Sequence, residues 1–245
     1  MDLGIRDRVA LVTGASKGLG LGVARALQEE GARVAISSRS PERIEAAAET
    51  IGARAYAHDA ADVDAAARLV EQVSRDLGPP EIVVANSGGP PASPDALSFG
   101  LDQWRTAYET LVLGQIALIE ASLPAMRQRG WGRILSISSS VVREPNQVLV
   151  LSTAHRSGLL AALKTIATQV AGDGVTINTL LTGMILTDRI RELGGDPAER
   201  AAAIPARRLG KVEEFAATAA FLCSEPAGYI TGTTLLIDGG ASRAV

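Results

Sequence analysis

Only one cysteine, Cys223, occurs in the chain, so neither an intrachain disulfide nor a thiolate metal cluster is available to it, and no metal site is expected. Aromatic residues are scarce, at 3%, although 47% of the chain is hydrophobic. The apolar content is therefore mostly Ala, Val, Leu and Ile, which suits helices packed closely on parallel strands. Lys and Arg never gather into a basic block, the net charge is −3 and the pI is about 5.5. Nucleic acid and an anionic membrane surface are therefore not expected partners. No uninterrupted apolar run reaches the roughly 18 residues of a membrane span. The opening residues lead straight into a strand without a signal-peptide pattern. The expectation is a soluble, cytoplasmic protein of a reducing compartment. At 245 residues the chain can bury a large core without staples, and 1–245 is expected to form one domain.

What is present is an alternation. Short, near-continuously apolar runs at Val9–Val12, Arg33–Ser37, Arg54–Ala57, Ile82–Ala85, Arg133–Ser136, Val175–Leu180 and Thr234–Ile237 read as strands covered on both faces. Ala/Leu-rich stretches near 18–30, 41–51, 62–77, 102–129, 150–171 and 211–223 read as helices between them. Ser40-Pro41 can start one helix, and Gly31, Gly52 and Gly78 sit just past helical stretches, where a left-handed cap is useful. Pro79-Pro80 stops the third helix before the fourth strand. No repeat, low-complexity tract or linker interrupts the order. The pattern predicts an α/β fold: a Rossmann-type doubly wound parallel sheet of about seven strands with helices on both faces.

The most informative motif is Thr13-Gly14-Ala15-Ser16-Lys17-Gly18-Leu19-Gly20, which follows the first strand and opens the first helix. In that place Gly14 permits a tight turn, Gly18 lets the backbone approach a pyrophosphate, and Gly20 allows close helix–sheet packing. A helix N-terminus offers unpaired N–H groups and a partial positive charge to phosphates. The second strand ends in Ser38-Arg39, where an NAD-specific site would usually carry an acid for the ribose hydroxyls. A hydroxyl and a guanidinium suit a 2′-phosphate, with Lys17 as a second cation on the adjacent loop. The expected cofactor is NADP(H) rather than NAD(H).

With these motifs in place, the sequence resembles the short-chain dehydrogenase/reductase family, and within it the 3-oxoacyl-[acyl-carrier-protein] reductase-like branch. The likeness covers almost the whole chain. Asp59-Ala60 matches the pair that contacts adenine, and Asn86-Ser87-Gly88-Gly89 resembles the Asn-Ala-Gly motif after the fourth strand. Thr182-Gly183-Met184-Ile185-Leu186-Thr187 resembles the segment that holds the nicotinamide carboxamide and the phosphates, with Thr182 in place of Pro. Arg207-Arg208-Leu209-Gly210 and Asp238-Gly239-Gly240 match the family's C-terminal motifs.

The family's catalytic tetrad of Asn, Ser, Tyr and Lys maps onto Leu111, Ser139, Ser152 and Arg156, so only the Ser is retained. The resemblance assigns Ser139, Ser152 and Arg156 to catalysis. It assigns Gly14, Ser16, Lys17, Gly18, Leu19, Gly20, Ser38, Arg39, Asp59, Ala60, Asn86, Ser87, Gly88, Arg156, Gly183, Ile185 and Thr187 to the cofactor. A Tyr, with a pKa near ~10 that a neighbouring cation can lower, is a usable general acid. Ser152 is far weaker and cannot reach where a phenol would, and Arg156 stays protonated and cannot relay a proton. Losing positioned acid catalysis costs roughly 10²–10⁴-fold. His155, Tyr108 and Asn146 are candidate replacements, each with an ordinary packing or turn role as the alternative; His58 reads as structural. The same Asn-Ser-Gly-Gly-Pro and Ser-x-x-x-Arg pattern resembles a subset of reductase-like proteins with its own active-site arrangement.

Two readings follow. One is an NADP(H)-dependent oxidoreductase acting on a small-molecule carbonyl or secondary alcohol, with a substrate lid over 187–205 marked by Gly194-Gly195 and Pro197. The other is a catalytically weak or inactive dinucleotide-binding protein, a sensor or an assembly subunit. A dehydratase or epimerase reaction in the same cleft finds little support. By resemblance alone the helices near 102–129 and 150–171 imply a homodimer or homotetramer.

Overall fold

A computed structural model describes residues 1–192 and 196–244. Strands β1 (Val9–Thr13), β2 (Arg33–Ser38), β3 (Arg54–Ala57), β4 (Ile82–Ala85), β5 (Gly132–Ser139), β6 (Val175–Thr182) and β7 (Thr234–Ile237) make one sheet. All its pairings are parallel, in the order β3-β2-β1-β4-β5-β6-β7. The order reverses between β1 and β4, the place where a doubly wound sheet opens a crevice at the carboxyl ends of its strands.

Helices cover both faces: α1 (Gly18–Glu29), α2 (Pro41–Ile51), α3 (Ala65–Asp76), α4 (Leu101–Tyr108), α5 (Gly114–Arg129), α6 (Val150–Val170), α7 (Asp188–Glu192), α8 (Pro197–Ala202) and α9 (Val212–Leu222). Side chains alternate across each strand, so β1 sends Ala10 and Val12 to one core and Val9 and Leu11 to the other. The first core gathers Val23 and Leu27 of α1, Ile44 of α2 and Phe215 of α9. The second gathers Leu69 of α3, Leu118 of α5 and Leu159 of α6. The Rossmann-type expectation is met, and the caps behave as their residues dictate. Ser40 accepts a hydrogen bond from Arg43 N at 3.3 Å, and Gly31, Gly52 and Gly78 all have positive φ.

The structure departs from the sequence expectation in four places. β5 and β6 run on to Ser139 and Thr182, beyond the expected ends at Ser136 and Leu180. Ser138 and Ser139, beyond the expected end, are strand residues, and Ser136 satisfies its hydroxyl on Gln115 Oε1 at 2.7 Å. The single helix expected over 102–129 is broken by a π-helical turn at Glu109–Leu113. The run Leu101–Arg129 is long and apolar enough, by length and composition, to cross a membrane. In this fold it packs against α3 and α6. Two short helices, α7 and α8, occupy the expected lid. Pro197 opens α8, whose Asp196 cap accepts from Ala198 N at 2.8 Å, while Gly194 and Gly195 lie outside the described residues.

Gly114 fixes the spacing between α5 and the end of β3. A Cβ there would stand 2.1 Å from the Ala60 carbonyl oxygen, a backbone atom that cannot swing aside. Ala in a helix gains up to ~1 kcal/mol over Gly, whereas overpacking costs about 1–3 kcal/mol. Gly114→Ala should therefore be a net loss, lowering Tm in thermal unfolding by a few degrees at roughly 2–4 °C per kcal/mol. An unchanged or raised Tm would contradict the contact.

Candidate functional site

The glycine segment leaves the carboxyl end of β1 and turns into α1 at the switch point. Gly14 (φ 58°) and Gly18 (φ 62°) take left-handed conformations that favour glycine. At Gly14 a Cβ would also meet the Asn86 carbonyl oxygen at 2.7 Å, and at Gly20 it would meet the Gly14 carbonyl oxygen at 2.5 Å. The turn is held from three sides. Thr13 Oγ1 donates to Asn86 O at 2.8 Å and accepts from Asn86 N at 3.0 Å, while Asn86 Nδ2 donates to Gly14 O at 3.0 Å. Ala15 N donates to Ser37 O of β2 at 3.0 Å. At the α1 entrance Lys17 makes no side-chain cap, and no acid stands in the first turn. The opening N–H groups therefore remain for an anion. Ser16 and Leu19 are half-buried on either side of exposed Lys17.

One end of the crevice lies at β2 and β3. Ser38 is half-buried, its hydroxyl 3.4 Å from Ser40 O, and Arg39 is exposed with no hydrogen bond or ion pair among the described residues. Arg39, His58, Asp59 and Arg68 line a cavity of about 310 Å³. The Asp59 carboxylate accepts from Ala61 N at 3.1 Å, which shapes the loop carrying Ala60. His58 is buried, and its Nε2 has no partner among the described residues.

The other end lies at β5, β6 and α6. Ser139 ends β5 opposite Thr182, and its Oγ accepts from Val141 N at 3.4 Å, so its hydrogen is left to donate. Ser152 and Arg156 are both buried and lie one helical turn apart on α6. Arg156 Nε donates to Ser152 Oγ at 3.1 Å and Nη1 to Ile137 O at 2.9 Å. Burial, with the Arg189 charge second, brings Arg156 down from 12.5 to about 10, so it remains a cation. Leu111 is fully buried in the π-helical turn.

Each of the three replacement candidates has a local partner, though Tyr108 is exposed rather than packed in the core. The His155 ring packs on Trp104 and Tyr108 of α4, with centroids 5.4 and 6.0 Å away, and its Nδ1 lies 2.7 Å from Leu151 O. Tyr108 is engaged in that cluster. Asn146 caps the short turn Gln147–Leu149, accepting from Val148 N at 2.9 Å.

The two ends are joined by the segment after β6. Gly183 N donates to Ile237 O at 2.9 Å, and a Cβ on Gly183 would stand 2.4 Å from Asp238 Cβ. Ile185 is buried and bridges to Gly210, while the Thr187 side chain lies 3.7 Å from a Cβ built on Gly18. Asn86, Ser87 and Gly88 follow β4 beside the turn, and the Ser87 hydroxyl is buried without a partner among the described residues.

The family model described as enoyl-(acyl carrier protein) reductase matches residues 14–242. The chain is 33% identical over 243 residues to the 3-oxoacyl-[acyl-carrier-protein] reductase of Escherichia coli (strain K12), covering 97% of this chain and 98% of that one. The chain belongs to the short-chain dehydrogenase/reductase family. Among solved structures, this short-chain dehydrogenase/reductase superimposes on the L-sorbose reductase of Gluconobacter frateurii complexed with NADPH and L-sorbose. That match has a TM-score of 0.92 at 30% identity and covers 100% of both chains. YwfH, an NADPH-dependent reductase involved in bacilysin biosynthesis, matches with a TM-score of 0.92 at 28% identity over 97% of this chain and 99% of its own.

Sequence reasoning missed the role of Thr13, which it read only as the residue before the first glycine. Its position at a strand end facing a loop asparagine was the available signal. It also missed Arg189, which reaches Gly89 from α7. A Cβ on Gly89 would lie 2.7 Å from an Arg189 Nη atom.

The environment of His58 gives a pH prediction. Burial holds its imidazole below the usual 6.5, against the opposing pull of Asp59 and Asp62. Above 6.5 the imidazole is neutral in both folded and unfolded chains. Below it the unfolded chain takes up the proton first, so this residue's contribution falls with pH. Urea midpoints of His58→Leu should fall less steeply than the parent's between pH 6.5 and 5; identical slopes would refute the assignment.

Proposed function

We propose that this chain is an NADP(H)-dependent reductase of carbonyl compounds, working through Ser139, Ser152 and Arg156. The observation that carries the reading is Thr187 standing over Gly18, which brings the segment after β6 onto the phosphate-binding turn. The cofactor is NADP(H). The donor set fits it. The α1 entrance and the Ser87 hydroxyl offer unclaimed hydrogen bonds, and Arg39 offers an unpaired guanidinium where a 2′-phosphate would lie. Lys17, Asp59, Ala60, Gly183 and Ile185 would complete the cradle. When bound, the nicotinamide supplies the hydride.

The chain's own part is to polarise and position. Ser139 donates its hydroxyl hydrogen to the carbonyl oxygen as that oxygen gains charge. Arg156 adds a fixed positive charge in a water-poor environment, where it acts more strongly than in bulk water. A guanidinium does not give up its proton, so Arg156 stabilises charge and does not relay. Ser152, held by Arg156 Nε, keeps its own hydrogen for a donor role, and water supplies the proton. In this reading residues 1–245 act as one unit, 187–205 close over the substrate, and the protein works as a cytoplasmic homodimer or homotetramer.

Two measurements test it. Arg39→Ala should weaken NADPH binding by at least tenfold in calorimetry while leaving NADH within threefold; an equal effect on both would remove Arg39 from cofactor choice. Ser139→Ala should lower ketone-dependent NADPH oxidation by about 10²-fold or more, with NADPH affinity unchanged. If the parent protein binds NADPH but oxidises it with no ketone in a broad panel, the alternative of a dinucleotide-binding sensor or subunit takes over.

A further inference from the structure

Two guanidinium groups, of Arg156 and Arg189, influence each other at the nicotinamide end of the crevice, and neither has an acidic partner among the described residues. Arg156 is buried, and only its Nε and Nη1 are used by the protein; Nη2 makes no hydrogen bond among the described residues. A buried cation ordinarily has a counter-charge. Here no carboxylate contributes to its electrostatics, and the one charge close enough to act on it is the positive charge of Arg189. Arg189 has no ion pair or hydrogen bond among the described residues, and its neighbour Asp188 is already engaged by Arg191 at 2.8 Å.

The backbone is built around Arg189. Its Nη1, Nη2 and Cζ would stand 2.7–3.0 Å from a Cβ on Gly89, so the absence of a side chain there makes room for the guanidinium. Gly89 follows β4 directly after Asn86-Ser87-Gly88, on the carboxyl edge of the sheet. Two residues earlier, Thr187 faces Gly18 of the phosphate-binding turn. Arg189 thus lies against Gly89, while Thr187 lies against Gly18 of the turn that would take the diphosphate.

We propose that the substrate is an anion, a small oxo acid whose carboxylate is held by Arg189 over Gly89 with Arg156 as the second cation. The proposal rests on the reductase reading and narrows its substrate class. A planar guanidinium matches a carboxylate bidentately, which fixes the head group and so the distance to the reacting carbonyl. The same chemistry would also suit an oxygen of the cofactor's diphosphate, so the test separates the two sources.

NADPH-loaded protein would be titrated calorimetrically with 2-oxo, 3-oxo and 4-oxo acids of four to six carbons and with their methyl esters. At least one acid should bind ten or more times tighter than its ester. In Arg189→Met that preference should shrink below threefold, Arg189→Lys should keep part of it, and the NADPH Kd should stay within twofold in both. Acids and esters binding alike, or neither binding, overturns the proposal. So does an acid preference that survives in Arg189→Met while NADPH weakens tenfold, which would assign the guanidinium to the diphosphate. The reductase reading fails differently. No NADPH uptake removes both, whereas an acid preference with no NADPH oxidation leaves the anion site standing alone.

Discussion

The geometry of the site depends on what happens where β1 and β4 part. Their parallel register ends at Val12↔Val84. Beyond it the two chains diverge, one into α1 and the other into the loop toward α4. The backbone groups that would have continued the ladder are captured by one hydroxyl. Thr13 Oγ1 both gives to and takes from the Asn86 backbone, and the Asn86 carboxamide then fastens the Gly14 carbonyl. An unsatisfied buried backbone group costs about 1–3 kcal/mol, so this exchange decides whether the crevice can open at all. Everything downstream takes its position from it: the aim of the α1 N–H groups, the room at Gly14 and Gly20, and the seat of Thr187 over Gly18.

Cations stand along the same edge of the sheet, with Asp59 and Asp62 beside Arg39 at one end. α1 presents the positive end of its dipole, Arg39 stands at β2, and Arg156 and Arg189 stand at the far end. Ion pairs elsewhere show what the chain does with arginines that serve structure. Arg8 reaches Glu81 at 2.7 Å and Glu225 at 2.8 Å, Arg208 reaches Glu214 at 2.6 Å, and buried Arg133 is capped by Ser224 O at 2.9 Å. Among the described residues Arg39 and Arg189 have no such partners. Leaving positive charge unbalanced destabilises the fold slightly and favours anionic oxygens in the crevice.

The fold was legible because its cause is local. Apolar runs, glycines past helix ends and proline at a helix start each follow from one residue's chemistry, and each was found where expected, except that the edge strands β3 and β7 are largely uncovered. Strand length was less legible. Ser138 and Ser139 fell beyond the expected strand Arg133–Ser136 because the sequence does not show that β6 will pair with β5 as far as Ser139↔Thr182. The π-helical turn was invisible for the same reason. It accommodates α4 and α5 to α6 and to the Ala60 carbonyl beside Gly114, both distant in sequence. The candidate site was legible as a list of positions but not as a set of contacts. Ser152 and Arg156 could be named from spacing, while their mutual hydrogen bond and the approach of Arg189 required three dimensions.

That hydrogen bond bears on how the pair at 152 and 156 is to be understood. Positions four apart share a helix face, so a change at one alters the space available to the other. Here Arg156 Nε meets Ser152 Oγ while Nη1 meets Ile137 O on β5. A tyrosine at 152 would take away the Oγ that Nε meets, and a lysine at 156 would leave the Ser152 hydroxyl and the Ile137 carbonyl without a planar donor between them. The two residues therefore behave as one unit. The unit places a fixed buried charge at this end of the crevice, where Arg189 lies against Gly89.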